Sequence, residues 1–289
     1  MDFPKKSITI VINLAPGGGL DLTTRLFAQY LQKDLGVPVI IKNIVEGGGK
    51  KGVQEVFEAK ADGYTLLSNL ETRNIQSELA FHSPYKILEF TPIICLTKVD
   101  LVIVARKDAP FNNLSELKAL SKKKIINAST TGVGSLTHLL VLRLKKEGDI
   151  SMEPIPFKGS ALGLTSLIGG HVDLTVTDMN SAKVHLEKLK MICTFGGKRS
   201  KFFPDIPTAL EQGFNIVVED TIGILAPPKL PKEIASMLEI AFANLRRRSE
   251  VKEKIKQFGR ILSDLSSEEY HKKLRQTYEN VGKYKSIFE

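Results

Sequence analysis

Tryptophan is missing from this chain altogether, and cysteine occurs only twice in 289 residues. Two thiols cannot build a disulfide framework or a cysteine-rich zinc cluster. Cys95 and Cys193 each sit in an apolar run, IICLT and MICTF, and read as small buried hydrophobes. Histidine is scarce too: His82, His138, His171, His185 and His271 show no metal-ligand spacing, so no metal site is expected. No apolar run approaches the roughly 20 residues that span a bilayer. The start, MDFPKKS, has no apolar signal core. The chain is read as cytosolic or as shorn of an export signal, and the second is expected because the first strand follows at once. Nucleotide and hydrolase signatures are absent as well: there is no GxxxxGK[ST], no serine in GxSxG, and Leu22 breaks a dinucleotide fingerprint begun by Gly17 and Gly19.

What the chain does have is length, basic charge and alternation. Its size suits two domains of ordinary dimensions. The net charge of +9 comes largely from short clusters, such as those at 50 and 51, 122 to 124, and 246 to 248. They read as a solvated basic surface that attracts small anions. With no tryptophan among them and no single recognition helix, nucleic acid is not the expected partner.

Strand-like and helix-like segments alternate. ITIVINLA reads as a buried strand, DLTTRLFAQYLQKDLG as a helix with Leu22, Leu26 and Tyr30 on one face and Gly36 as its stop, VPVIIKNI as a second strand, and KKGVQEVFEAKAD as a second helix. YTLLSN is a third strand, followed by a loop. TPIICLTKVDLVIVARKD holds two strand-like runs. The plan then repeats from IINAST and SLTHLLVLRLKKEG through MEPIPF, LGLTSLIGG and VDLTVTD to a helix over AKVHLEKLK and a strand over MICTFGG. Beyond FNIVVEDTIGILAPPKLP, an extended run, two long helices are expected over 231–259 and 266–287. Such alternation implies α/β lobes built on mostly parallel sheets.

Two junctions match in design. Ala15 to Asp21 and Thr131 to His138 each carry glycines from a strand into a helix. The first N–H groups of a helix lack intrahelical partners and sit at the positive end of its dipole, so a bare loop there admits an anion. The hydroxyls of Thr131, Ser135 and Thr137 can add hydrogen bonds, and a carboxylate or phosphate is the natural guest. Asp21 would repel that guest, so it is expected to cap or fix the loop while facing away. His138 reads as a hydrogen-bonded structural histidine rather than a base. An enzyme acting on a carboxylated metabolite, with His138 or Asp178 as acid–base group, is the alternative.

APGGGLD (15–21), ADGYTLL (61–67), TGVGSLTH (131–138), FKGSALGLTSLIGGHVDL (157–174), GKRSKFFPDIPTALEQGF (197–214) and IGILAPPKLP (222–231) occur together and in order. This set resembles the solute receptors of tripartite tricarboxylate transporters, the Bug-type periplasmic binding proteins. The resemblance runs nearly end to end.

It implies a two-lobed, type II periplasmic-binding-protein-like fold. Each lobe is a mixed, mostly parallel sheet flanked by helices, and the hinge is two crossing strands. Lobe 1 is expected over 1–100 plus 223–289, lobe 2 over 101–222, with a ligand cleft between them. The implied function is an extracytoplasmic, periplasmic receptor, without catalysis or cofactor, that carries a small organic acid to membrane permease subunits as a monomer. The implied ligand-binding residues are Ala15, Pro16, Gly17, Gly18, Gly19 and Asp21; Thr72; Thr131, Gly132, Val133, Gly134, Ser135 and His138; and Lys158, Gly159, Ser160, Ala161 and Asp178. Arg73 is a further anion contact to consider. Phe157 stands for the usual tyrosine, and the chain departs from the family pattern in three further places: Val176-Thr177-Asp178 where Phe-Asp-Asn often follows Val-Asp, Val45-Glu46-Gly47-Gly48-Gly49 for a Pro-Gly-Ala-Gly-Gly stretch, and Thr221-Ile222 where an aromatic often stands.

Overall fold

The computed structural model describes residues 3–81, 83–133 and 135–285. The chain divides into two compact units, Met1–Lys98 with Thr221–Glu289, and Val99–Asp220. In the first unit the chain runs β1 (Ile8–Ile12), α1 (Gly19–Leu35), β2 (Val39–Asn43), α2 (Lys50–Phe57), β3 (Thr65–Leu70) and α3 (Glu71–Phe81), then enters β4 (Thr91–Arg106). The second unit follows as α4 (Leu114–Ser121), β5 (Ile126–Thr130), α5 (Leu136–Lys146), β6 (Met152–Pro156), α6 (Ser160–Ile168), β7 (Leu174–Asp178), α7 (Met179–Lys183) and β8 (Leu189–Thr194). β9 (Glu219–Ala226) returns to the first unit, which ends with α8 (Lys232–Arg247), α9 (Ser249–Gln257), β10 (Ile261–Leu262) and α10 (Ser267–Gly282). The boundaries at 98/99 and 220/221 fall inside β4 and β9.

The two units are wired alike. In the first, β1 pairs in parallel with β2 and β3, with Ile8 opposite Val39 and Thr9 opposite Thr65. In the second, β5 pairs in parallel with β6 and β7, with Ile126 opposite Met152 and Ser129 opposite Thr175. The first strand of each βαβαβ run therefore lies between the other two. Antiparallel partners complete each sheet: β9 on β3 and β10 on β4 in one, β4 against β7 and β8 in the other. This wiring sets the β1–α1 and β5–α5 loops at equivalent positions, the carboxyl end of the middle strand, where open α/β sheets place their sites.

Burial explains the strand sequences. Ile8, Ile10 and Ile12 of β1 pack with Leu20, Phe27 and Leu31 of α1 and with Phe242 and Leu245 of α8. A strand covered on both faces reads as a continuous apolar run rather than an alternating one. In the second unit Ala128, Leu140, Leu144, Leu174 and Val176 form the matching core.

Five expectations change. Leu22 is exposed, and the buried stripe of α1 runs instead through Leu20, Thr23, Thr24, Phe27 and Leu31. The two runs within 91–106 are one strand of 16 residues. The segment after β3 is not a loop but α3, whose buried residues are mostly polar: Glu71, Thr72, Asn74, Gln76 and Glu78 surround Ile75. The helix expected over 182–190 is the shorter α7, because Asp178 caps it early and Leu189 and Lys190 pair with Arg106 and Ala105 of β4. The long helix expected over 231–259 breaks at Arg248, whose extended backbone (φ −68°, ψ 134°) lets α9 turn Val251 and Ile255 into the core.

Candidate functional site

At the carboxyl end of β1, Ala15, Pro16, Gly17 and Gly18 are exposed. The three glycines serve three different purposes. Gly17 takes φ +86°, a conformation most side chains resist. Gly18 is the N-cap of α1 in ordinary extended backbone (φ −78°, ψ 169°), and the space around it is open; a Cβ there would meet only Ala15 O, at 3.9 Å. Gly19 has no room: the guanidinium of Arg260 lies where its Cβ would be. No side-chain hydrogen bond caps α1, whose start lies at the positive end of 17 aligned peptides.

Asp21 fixes this loop from behind. Its carboxylate accepts hydrogen bonds from Gly17 N at 3.0 Å, Arg25 Nε at 2.9 Å and Asn43 Nδ2 at 3.0 Å, and the residue is 2% exposed. Burial alone would raise its pKa, but the bonds from Arg25, Gly17 and Asn43 outweigh burial and hold it below the usual value. The negative charge is thus taken up by the brace. Asn43 also donates to Leu14 O at 3.0 Å and accepts from Arg25 Nη2 at 2.8 Å. Neither Asn43 nor Arg25 was singled out by the sequence, because their roles depend on β2 lying beside β1.

In the second unit the β5–α5 loop is less bare than its sequence suggests. Ser135 is the N-cap of α5, and its hydroxyl accepts from His138 N at 3.1 Å. Thr137 Oγ1 accepts from Thr131 N at 2.8 Å and lies 2.9–3.0 Å from the hydroxyls of Ser135 and Thr131. The three hydroxyls expected to reach a guest bond one another first. Gly132 takes φ +139°, Val133 is 74% exposed, and Gly134 lies outside the described residues. Burial lowers the His138 pKa more than Glu153 raises it, which favours the neutral ring.

The bare helix start in this unit belongs to α6. Its N-cap, Gly159 (φ +106°), brings no side-chain bond, and Lys158 and Ala161 beside it are exposed. Phe157 N donates to Thr130 O at 2.9 Å, which ties this segment beside the β5–α5 loop. Asp178 caps α7 by accepting from Ser181 N at 2.9 Å and Ser181 Oγ at 2.6 Å, and Ser160 Oγ reaches it at 3.4 Å. Thr72 and Arg73 lie in the first turn of α3, at the carboxyl end of β3 beside that of β1. Thr72 is 1% exposed within α3, and Arg73 Nη2 donates to Gly48 O at 3.3 Å. Among the described residues no cluster of three histidine, cysteine, aspartate or glutamate side chains could hold a metal. No helix among them is long and apolar enough to cross a membrane.

Chemically, each unit offers a helix start without a side-chain cap, an arrangement suited to an anion. Comparison with known proteins gives this arrangement a context. Residues 23–288 match the tripartite tricarboxylate transporter family receptor, a span that opens just after the first loop. A UPF0065 protein of Bordetella pertussis is 31% identical over 245 residues, which is 83% of this chain and 76% of that protein. The crystal structure of a TctC solute-binding protein from Polaromonas covers 99% of both chains with a TM-score of 0.88 at 24% identity. MatC from Rhodopseudomonas palustris, solved with bound malate, covers 99% of this chain and 100% of its own with a TM-score of 0.77 at 26% identity.

Proposed function

The chain belongs to the tripartite tricarboxylate transporter receptor family, and we propose that it is an extracytoplasmic receptor for a small carboxylate, which it delivers to membrane permease subunits. The uncapped start of α1 carries this reading: it offers N–H donors and a positive dipole, with the loop's own acid engaged by Gly17, Arg25 and Asn43. The uncapped start of α6 supplies matching donors from the second unit. In this proposal one ligand is held in the expected cleft by both loops. The protein works as a monomer and carries out no reaction. The malate bound to MatC supports a dicarboxylate as the first class to try.

The direct test is calorimetric titration with malate and other di- and tricarboxylates, backed by a thermal-shift screen, since a ligand that binds only the folded state raises its apparent stability. Binding of one carboxylate per chain is expected. Failure of every organic acid to bind, with amides or uncharged solutes binding instead, would overturn the reading.

A further inference from the structure

The β5–α5 loop and the start of α6 share one edge of the second unit. Phe157 N donates to Thr130 O at 2.9 Å, and a Cβ on Gly132 would stand 3.8 Å from Phe157 O. In the first turn of α6, Gly163 lets the helix settle on the sheet. A Cβ there would come within 2.7 Å of Ser129 Oγ, and Gly163 O accepts from Thr175 Oγ1 at 3.3 Å. Leu162, beside that contact, is 53% exposed, and Val133, in the adjoining loop, is 74% exposed. Both follow the carboxyl ends of their strands, β5 for Val133 and β6 for Leu162, where open α/β sheets place ligands.

The hydroxyls of this edge are engaged within the unit. Thr137 Oγ1 accepts from Thr131 N and shares hydrogen bonds with the hydroxyls of Thr131 and Ser135, which uses its one proton and both lone pairs. Ser135 Oγ caps α5 through His138 N, Ser160 Oγ donates to Asp178, and Thr165 Oγ1 donates to Ala161 O at 3.0 Å. Val133, Ala161 and Leu162 are exposed beside them, with Lys158 as the neighbouring cation.

We infer that Val133 and Leu162 are specificity-determining residues of this receptor: they meet the carbon chain of the ligand and select carboxylates without a hydroxyl on that chain. This rests on the receptor reading above and narrows its ligand class. A hydroxyl set against valine and leucine gives up its water and finds no partner. A methylene in the same place takes apolar surface out of water on both sides of the contact. Lys158 and the uncapped start of α6 complement the charge of the adjoining carboxylate.

Succinate and malate, and glutarate and 2-hydroxyglutarate, are pairs that differ by one hydroxyl. All four are titrated calorimetrically against the wild type, Val133→Thr and Leu162→Asn, with folding followed by circular dichroism. Both positions are exposed and both substitutions nearly keep side-chain size, so either variant should fold. The wild type should prefer the unhydroxylated acid of each pair by at least about fivefold. Each variant should weaken that acid by about threefold or more and leave the hydroxy acid within about twofold. Equal affinities within both pairs in the wild type, or a preference unchanged in both variants, would overturn this inference and leave the receptor reading in place. If no acid binds, succinamide and malamide are compared in the same way. A preference for succinamide that collapses in both variants removes the carboxylate from the ligand class and keeps the apolar contact. Absence of binding by either amide, or binding without preference, removes the apolar contact as well.

Discussion

Gly18→Leu separates recognition by backbone amides from a merely structural role of the glycine loop. The backbone at Gly18 is extended, and only Ala15 O stands near its Cβ position, at 3.9 Å. The fold should therefore accept leucine. Leucine is a poorer N-cap than glycine, a cost of several tenths of a kcal/mol, while replacing glycine stiffens the unfolded chain by a similar amount; the net stability change should stay within about 1 kcal/mol. Binding is another matter. The four added carbons stand over the leading amides of α1 and shut out the guest. Losing two charge-assisted hydrogen bonds, at about 1.5–3 kcal/mol each, should weaken a carboxylate by at least roughly 3 kcal/mol, or about a hundredfold. Gly17→Leu is the contrasting control: φ +86° makes it pay about 1–2 kcal/mol in backbone strain, so it should lose stability as well. Calorimetry with malate and chemical denaturation on the same samples give both quantities. Unchanged affinity in a folded Gly18→Leu would refute recognition by these amides.

Asp21→Asn should lower stability by about 1.5–3 kcal/mol at pH 7, because the brace loses a charged acceptor. Since the folded carboxyl titrates below its ordinary value of 3.8, its contribution is present above about pH 4 and lost as the pH falls through the lowered value; the gap between wild type and variant in urea melts should close in strong acid. Ser135→Ala removes the cap of α5 and should cost about 1 kcal/mol in the same assay. Cys95 and Cys193 are both free and buried, in different units, and burial pushes the Cys95 thiol up to about 12. A thiol reagent at pH 8 should therefore modify neither until denaturant opens the chain, and fast labelling of the native protein would contradict that burial.

Much of the architecture was legible wherever apolar period and punctuation agreed. The β1–α1–β2 run could be read because β1 is apolar at every position but Thr9 and Gly36 ends its helix in a left-handed turn. α3 could not be read, because its inner face is made of Glu71, Asn74 and Glu78 rather than leucines. Its stability comes from partners remote in sequence, such as Asn13, whose Nδ2 donates to Asn74 Oδ1 at 2.6 Å, and Tyr278, whose hydroxyl donates to Glu78 Oε1 at 2.8 Å. The same holds for the loops. Glycines and hydroxyls marked the positions of Ala15–Gly19 and Thr131–His138, but only the fold reveals that Ser135 and Thr137 satisfy their own loop while Gly159 leaves α6 open. Arg260 carries no local motif at all, since its packing on Gly19 depends on where β10 sets it down.

The buried amides of the first unit form a thread through the chain: Asn13 to Asn74, Asn74 to Asn69, and Asn69 to the hydroxyl of Tyr270. Its last knot is tied 201 residues after Asn69. A ribosome releasing this chain completes the contiguous second unit while the first still waits for its closing helix. Asn13, Asn69 and Asn74 are thus made before their last partner, and until Tyr270 emerges Asn69 has only solvent or other donors and acceptors to satisfy that bond.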